Sequence, residues 1–216
     1  MTWTLISATP SPYARKVRIA LQEKNLPFTL QTEVPWDSTT QTPQYNPLEK
    51  LPVLLFDDGH PAIYESHYIL EWLEAKHPEP ALLPEGLEER LFAKQVEVVA
   101  DGICDALVLL VFEGMREREG KGSEPWKARQ MRKVDGGLQA LAEWVEKGGG
   151  RHIVGDRLTL ADVATCAVLG FMQVRFPDID WGQRHPVLQT YFESLDERPS
   201  FANTRPSPQT YKDKIV

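Results

Sequence analysis

The spacing of apolar residues changes once along the chain, and that change restricts the fold more than any other feature. From Thr2 to Lys76, short segments with strand-like spacing of apolar residues alternate with segments with helical spacing. From Leu87 onward, only helical spacing recurs. The sequence therefore predicts an α/β domain over residues 1–80 and an all-α helical bundle over residues 87–216, with a linker near residues 77–87.

Each element of the N-terminal part has a local signal. Pro12 occupies the first turn of a helix that Asn25 ends, and an Asp-Gly pair between two apolar runs is typical of an antiparallel hairpin. The polar loop from Pro35 to Pro47 is long enough to be functional. The predicted strands cover residues 3–7, 28–32, 53–56 and 62–64, and the predicted helices run from Pro12 to Asn25 and from Ser66 to just before Pro78. This order indicates a mixed sheet covered by helices.

Four longer helices are predicted in the C-terminal part. The glycines from Gly148 to Gly150 end the second of them. Thr159 and Asp162 have the spacing of a capping box, and Leu158 and Val163 have the spacing of a hydrophobic staple. The helices are predicted at Glu88–Glu113, Pro125–Glu146, Leu160–Arg175 and Pro186–Glu197.

Charge and cysteine usage exclude several classes of protein. The formal net charge of −7 argues against a nucleic-acid partner, because binding to phosphates requires a basic surface. The cluster of Arg15, Lys16 and Arg18 is interpreted as the solvated side of a helix. No run approaches the ~20 apolar residues that span a bilayer, and no signal peptide is evident. We therefore expect no membrane partner. Cys104 and Cys166 are far apart in the sequence, so we expect no disulfide and no metal site, and a reducing, cytoplasmic location.

Three short segments carry groups suited to a small ligand. Ser11 lies at the predicted N-cap of the first helix, where it either only caps the helix or also stabilises an anion. The Leu51-Pro52 bond is either trans or cis, and a cis bond would present the Leu51 backbone to an extended peptide. Ser66 is expected to cap the helix that follows Glu65, and this pair is either a plain cap or a site for the charged groups of a ligand.

These features occur in four strings, which are in chain order SPYARKVRIALQEKNLPF, NPLEKLPVLLFDDG, YESHYILEWLE and GDRLTLADV. Together the strings resemble the glutathione transferase superfamily over nearly the whole chain. The resemblance implies a thioredoxin-like N-terminal domain, an all-helical C-terminal domain and glutathione as a co-substrate, with no further cofactor. It also implies a homodimer whose subunits meet through the helix at Ser66 and the first long C-terminal helix.

The resemblance implies that Ser11 is the catalytic residue, because it lies where serine-type transferases place the hydroxyl that contacts the glutathione sulfur. A thiol with a pKa near 8.5 is only about 3% ionised at pH 7. A hydroxyl that donates a hydrogen bond to the sulfur, together with the positive end of a helix, would raise the thiolate fraction. Thr9 and Tyr13 carry rival hydroxyls near the same turn.

The remaining glutathione contacts also follow from the resemblance. It implies that Leu51, before a cis Pro52, pairs through its backbone with the cysteinyl part of glutathione. Glu65 and Ser66 would hold the γ-glutamyl end, and Lys50 would face the glycine carboxylate.

The sequence departs from the family pattern at three places. Glu49 stands where the family usually has glycine, which adds negative charge near the pocket for the glycine carboxylate. Ser11 in place of cysteine disfavours the branches that exchange thiols. The Ser-Ser-Cys string of the maleylacetoacetate-isomerase branch is also missing.

We expect a small apolar electrophile to bind between the two domains, where clefts usually form. The candidate wall residues are Trp36, Val108, Phe112 and Met115. The expected reaction is conjugation, which is a detoxification chemistry. A glutathione-dependent peroxidase or reductase and a non-catalytic binding or regulatory protein are the alternatives, since fold alone does not fix function. His67 and Cys104 are assigned structural roles.

Overall fold

A four-stranded mixed sheet forms the centre of the N-terminal domain. The computed structural model describes residues 3–213. The strand order is β2-β1-β3-β4, in which β1 (Trp3–Ser7) runs parallel to β2 (Phe28–Thr32) and antiparallel to β3 (Val53–Leu55). The last strand, β4 (Ile63–Tyr64), is antiparallel to β3. The mixed sheet predicted from the sequence is confirmed.

Two helices belong to this domain, α1 (Pro12–Glu23) and α2 (Ser66–Lys76). Apolar side chains of both helices and of the sheet share one core with the C-terminal domain. Asn25 follows α1 with a left-handed φ of 54°, which asparagine tolerates better than most residues, so the predicted helix end is confirmed. The loop after β2 contains a short 3-10 turn at Thr42–Gln44.

The C-terminal domain contains six helices in the described part of the chain and no strand between Leu87 and Asp213. They are α3 (Leu87–Arg118), α4 (Glu124–Lys147), α5 (Leu160–Arg175), α6 (Trp181–Arg184), α7 (Pro186–Asp196) and α8 (Pro199–Ala202). All-helical architecture is therefore confirmed, and α5 has the predicted bounds. Helix α3 continues beyond Glu113 to Arg118. Helices α6 and α8 were not predicted, because a helix of a single turn is too short to show a periodic spacing of apolar residues.

The segment between α2 and α3 contains neither helix nor strand. The predicted boundary between residues 80 and 87 falls within it and remains a prediction. None of the helices in residues 3–213 combines the length and the hydropathy needed to cross a bilayer.

Arg15 and Lys16, near the start of α1, are buried, so their interpretation as part of a solvated cluster was wrong, whereas Arg18 is half-buried. Arg15 and Lys16 are each 1% exposed. The Arg15 guanidinium lies 2.8 Å from the carboxylate of Asp196 on α7. The Lys16 ammonium lies 3.0 Å from Glu97 and 2.7 Å from Asp101, both on α3. A helical pattern does not reveal partners so distant in sequence, and these ion pairs connect α1 to the C-terminal domain.

Asp162 organises the start of α5. Its buried carboxylate accepts hydrogen bonds from the Thr159 N–H at 2.7 Å, the Ile153 N–H at 2.9 Å and the Tyr191 hydroxyl at 2.6 Å. The contact with Thr159 confirms the predicted capping interaction. The other two contacts join α5 to the preceding loop and to α7.

Replacing Asp162 should destabilise the protein strongly. Asp162→Ala removes the acceptor of these three donors and of the Thr159 hydroxyl, which lies 3.2 Å from the carboxylate. Each unpaired buried donor costs about 1–3 kcal/mol, so the free energy of unfolding should fall by at least ~3 kcal/mol. Urea denaturation measures this change. Tyr191→Phe removes only one of these hydrogen bonds and should cost ~1 kcal/mol. Equal losses in the two variants would contradict the role assigned to Asp162.

Candidate functional site

A cavity of about 740 Å³ lies between the two domains. One side is formed by the β1–α1 turn, residues 46–51 and the start of α2. The opposite side is formed by α3, α5 and the chain after α8. The structure brings together in its walls most of the residues predicted from the sequence, namely Ser11, Trp36, Lys50, Leu51, Glu65, Ser66, Val108 and Phe112.

Ser11 is the N-cap of α1 and lines the cavity. Its Oγ accepts a hydrogen bond from the Ala14 N–H at 3.2 Å, so the hydroxyl proton remains available to a ligand. The first helical residue, Pro12, has no N–H to donate, and the first turn of α1 contains no acidic residue. The prediction that Ser11 caps the helix is therefore confirmed. The positive end of α1 would stabilise an anion beside Ser11, because no carboxylate of the first turn opposes it.

The two rival hydroxyls are engaged elsewhere. The Tyr13 hydroxyl donates to the carboxylate of Asp105 on α3. Burial, together with the neighbouring Cys104 and Asp105, raises the pKa of Tyr13 above its usual range, so its phenol keeps its proton. The Thr9 hydroxyl donates to the Pro208 carbonyl at 3.4 Å, and Thr9 is not among the cavity residues.

The Leu51–Pro52 peptide bond is cis. Pro52 itself is buried outside the cavity wall, so its prediction as a contact residue is replaced by an indirect role through Leu51. Within residues 3–213, neither the N–H nor the C=O of Leu51 has a hydrogen-bond partner. The backbone of Leu51 is therefore free to pair with an extended ligand.

The turn before Leu51 is held by a buried asparagine. The Asn46 amide donates to the Lys50 carbonyl at 2.8 Å, and its oxygen accepts from the Leu48 N–H at 2.9 Å. Glu49 adopts a left-handed φ of 54°, which explains why glycine suits this position. The Glu49 and Lys50 side chains are exposed at the cavity edge.

Glu65, not Ser66, is the N-cap of α2, which corrects the prediction. The Glu65 side chain accepts from the Tyr68 N–H at 3.2 Å, and Ser66 is the first helical residue. Glu65 has a φ of 75°, a conformation that costs a non-glycine residue of order 1–3 kcal/mol and that often occurs at functional sites. The N–H of buried Ser66 has no partner in residues 3–213 and lies at the positive end of α2.

Asp101 of α3 was not predicted, although it lines the cavity together with Glu65. Burial raises the pKa of Asp101 to about 6, against the opposing effect of Lys16, and the charges of Glu97 and Glu65 raise it further. The two carboxylates make this end of the cavity attractive to a cation. The helical spacing of α3 gave no signal for it, because the position of Asp101 depends on the distant Lys16.

The other end of the cavity is apolar and aromatic. The Trp36 ring contacts Phe112 with ring centroids 4.7 Å apart and contacts Tyr211 with centroids 4.8 Å apart. Met115, further along α3 than Phe112, does not line the cavity, contrary to the prediction. Two residues that the sequence did not suggest, Tyr211 and Arg175, complete this end.

Comparison with known protein families matches both parts of the chain. The family described as "Glutathione S-transferase, N-terminal domain" matches residues 5–81. The family described as "Glutathione S-transferase, C-terminal domain" matches residues 124–194.

Solved structures and curated sequences agree with this match. A glutathione S-transferase of Methylobacterium radiotolerans, solved with glutathione sulfonate, is 55% identical over 100% of both chains, with a TM-score of 0.95. A glutathione S-transferase of Methylobacillus flagellatus, solved with bound glutathione, is 34% identical over 94% of this chain and 99% of its own, with a TM-score of 0.87. A Vibrio cholerae protein described as "Probable maleylacetoacetate isomerase" is 31% identical over 92% of this chain and 93% of its own.

Proposed function

The chain belongs to the glutathione S-transferase family, and we propose that it is an enzyme that conjugates the glutathione thiolate to small apolar electrophiles. The observation that carries this proposal is that the Ser11 hydroxyl, at the start of α1, accepts a hydrogen bond and can still donate one to a ligand. It lines the same cavity as the unpaired backbone of Leu51 and an apolar wall. The Methylobacterium and Methylobacillus structures, which hold glutathione sulfonate and glutathione, support a glutathione site in this fold.

The cavity offers a partner for each part of the tripeptide. The free N–H and C=O of Leu51 would pair with the cysteinyl residue, as an added strand does. The Ser66 N–H at the start of α2 would bind the γ-glutamyl carboxylate. Glu65 and Asp101 would attract the γ-glutamyl ammonium, and Lys50 would face the glycine carboxylate at the cavity edge.

This placement brings the sulfur to Ser11. The hydroxyl donates to the thiolate while its oxygen accepts from Ala14, so serine acts as a donor and not as a base. The positive end of α1 adds to the stabilisation of the anion. The thiolate then attacks an electrophilic carbon of a second substrate held near Trp36, Val108 and Phe112, where the two reactants are kept close together.

Removing the Ser11 hydroxyl should return the bound thiol to its ordinary acidity. In Ser11→Ala, we expect the pKa of bound glutathione to rise from about 6.5 to about 8.5, and kcat/KM at pH 7 to fall about 20-fold with the thiolate fraction. The ultraviolet absorbance of the thiolate, followed against pH, measures the pKa directly. Thr9→Ala and Tyr13→Phe should leave it low, because both hydroxyls have other partners.

The same titration separates the proposal from its alternatives. An unchanged pKa in Ser11→Ala would remove Ser11 from the mechanism. A wild-type protein that binds glutathione without lowering its pKa would be a binding or regulatory protein. Conjugation consumes glutathione permanently, whereas peroxidase or reductase activity forms its disulfide, so product analysis distinguishes these enzymes.

The match to the Vibrio cholerae protein, described as a probable maleylacetoacetate isomerase, favours a second candidate, isomerisation of an unsaturated acid, although this chain lacks the Ser-Ser-Cys string of that branch. The Arg175 guanidinium in the cavity wall suits an anionic substrate. In this reaction glutathione is returned unchanged, so the same product analysis separates it from conjugation.

Glutathione affinity should depend on the protonation of Asp101. Because the pKa of Asp101 is about 6, its charge is present above that pH and is lost as the pH falls below it. We expect the Kd for glutathione to increase several-fold from pH 7 to pH 5, with much less change in Asp101→Asn. Calorimetric titration at both pH values measures this effect. An identical pH dependence in the two proteins would show that Asp101 does not contact the ligand.

We also propose that the protein is a homodimer in a reducing, cytoplasmic setting. Tyr68 of α2 and Leu91 and Val98 of α3 are 52%, 53% and 57% exposed. An ion pair between Glu71 and Lys94, which lie on the same faces of the two helices, brings these apolar side chains together. Such a surface suits a second copy of the chain. Both cysteines are buried free thiols, which is typical of a reducing compartment.

A charge within this surface should separate the subunits. In Val98→Glu, the apparent mass in light scattering at micromolar concentration should fall from that of two chains to that of one, because a carboxylate would be buried without a partner. Trp126→Glu places the same charge at an exposed aromatic residue of α4 and should leave the mass unchanged. A wild-type protein with the mass of a single chain would refute the dimer.

A further inference from the structure

A further carboxylate of α3 lines the cavity besides Asp101. Asp105 follows Asp101 by one turn of the helix, and Val108 and Phe112 line the cavity further along the same helix. Because residues three or four apart lie on one face of a helix, these four side chains form a single row. Asp105 therefore lies between the acidic part of this row and its apolar part.

The Asp105 side chain is held in place from the other domain. The Tyr13 hydroxyl donates a hydrogen bond to the Oδ1 atom of Asp105. Tyr13 belongs to the first turn of α1, two residues after Ser11. Burial raises the pKa of Tyr13 above its usual range, so this hydroxyl remains a donor. The contact holds the carboxylate next to the turn that contains Ser11.

No cation of the described chain compensates the charge of Asp105. Within residues 3–213, no basic side chain forms an ion pair with it, and its Oδ2 atom accepts no hydrogen bond. The side chain is exposed and faces the cavity. The two basic residues of the cavity wall lie elsewhere, since Lys50 is at the cavity edge and Arg175 packs on the Tyr211 ring at the aromatic end. Asp105 therefore has a free acceptor beside the apolar wall.

The proposed binding mode of glutathione leaves this acceptor unused. The γ-glutamyl ammonium would pair with Glu65 and Asp101, whereas Asp105 lies about 6 Å further along α3. A second substrate that covers Val108 and Phe112 would displace water from the Asp105 carboxylate. Loss of water from a charged group is costly unless an opposite charge replaces the water. A cationic group on the second substrate would supply that charge.

We propose that Asp105 selects the second substrate by charge, and that the site favours an electrophile with an apolar body and a cationic nitrogen near the reactive carbon. This inference rests on the proposed transferase function. The apolar body packs against Val108 and Phe112, and the cation pairs with Oδ2 of Asp105. The thiolate forms the C–S bond while the leaving group departs with the electrons of its bond to carbon, so the product retains the cation. An anionic group at the same position is repelled.

The test compares two benzyl chlorides of opposite charge, the [3-(chloromethyl)phenyl]trimethylammonium cation and the 3-(chloromethyl)benzoate anion. In both, the thiolate displaces chloride. Asp105→Asn keeps the size of the side chain and an oxygen for Tyr13. In this variant the ratio of kcat/KM for the cation to kcat/KM for the anion should fall about tenfold, because one attraction and one repulsion are both lost. The intrinsic reactivity of each compound and the thiolate fraction cancel in the comparison with the wild type.

Asp156→Asn is the matched control, because it makes the same change at an exposed carboxylate outside the cavity wall, and it should leave the ratio unchanged. A second variant, Asp105→Lys, separates an effect of charge from damage to the protein. In Asp105→Lys, kcat/KM should rise above the wild-type value for the anion and fall for the cation, whereas damage lowers both.

The outcomes distinguish this inference from the transferase function. An unchanged ratio in Asp105→Asn, or equal losses for both compounds in Asp105→Lys, would overturn the role of Asp105 and leave the transferase function intact. A wild-type enzyme that conjugates uncharged benzyl chloride but not the cation would do the same. A wild-type protein that conjugates none of the three compounds would overturn the inference and the transferase function together.

Discussion

The ion pair between Lys16 and the two carboxylates of α3 is the interaction on which the site depends. Lys16 follows Ser11 by little more than one turn of α1, and its ammonium reaches Glu97 and Asp101 across the domain boundary. Removing one member of such a buried group costs about 3–5 kcal/mol, because it leaves a charge without a partner. These contacts therefore fix α1, which begins after Ser11, against α3, which carries part of the apolar wall.

This arrangement gives the cavity two chemically different ends. Carboxylates from both domains, at Glu65 and Asp101, make one end attractive to the ammonium group of a peptide. Aromatic rings and the guanidinium of Arg175 form the other end. Ser11 lies at the β1–α1 turn, at the start of a helix whose first turn contains no acidic residue to oppose an anion. A single cavity thus has an acidic end and an apolar, aromatic end.

Local patterns predicted most residues of the N-terminal wall of the cavity, because these residues lie at the ends of helices and strands. Ser11 precedes a helix, Leu51 precedes a proline, and Glu65 follows a strand. The cap of α2 was nevertheless assigned to Ser66, since a φ of 75° at Glu65 is held by tertiary packing and has no sequence signal. The apolar wall was predicted less well. Met115 has suitable helical spacing from Phe112, but it does not line the cavity.

The sequence by itself determined the order of the elements, the change from a mixed sheet to an all-helical domain and the position of a hydroxyl at the start of α1. Each of these depends on contacts within a few residues, where periodicity and capping act. Tertiary structure alone decided that Lys16 and Arg15 are buried, that Asp101 lines the cavity with Glu65 and that Tyr211 also lines it. These positions depend on partners many residues away, because the charge and burial of a side chain are set by whatever the fold places beside it.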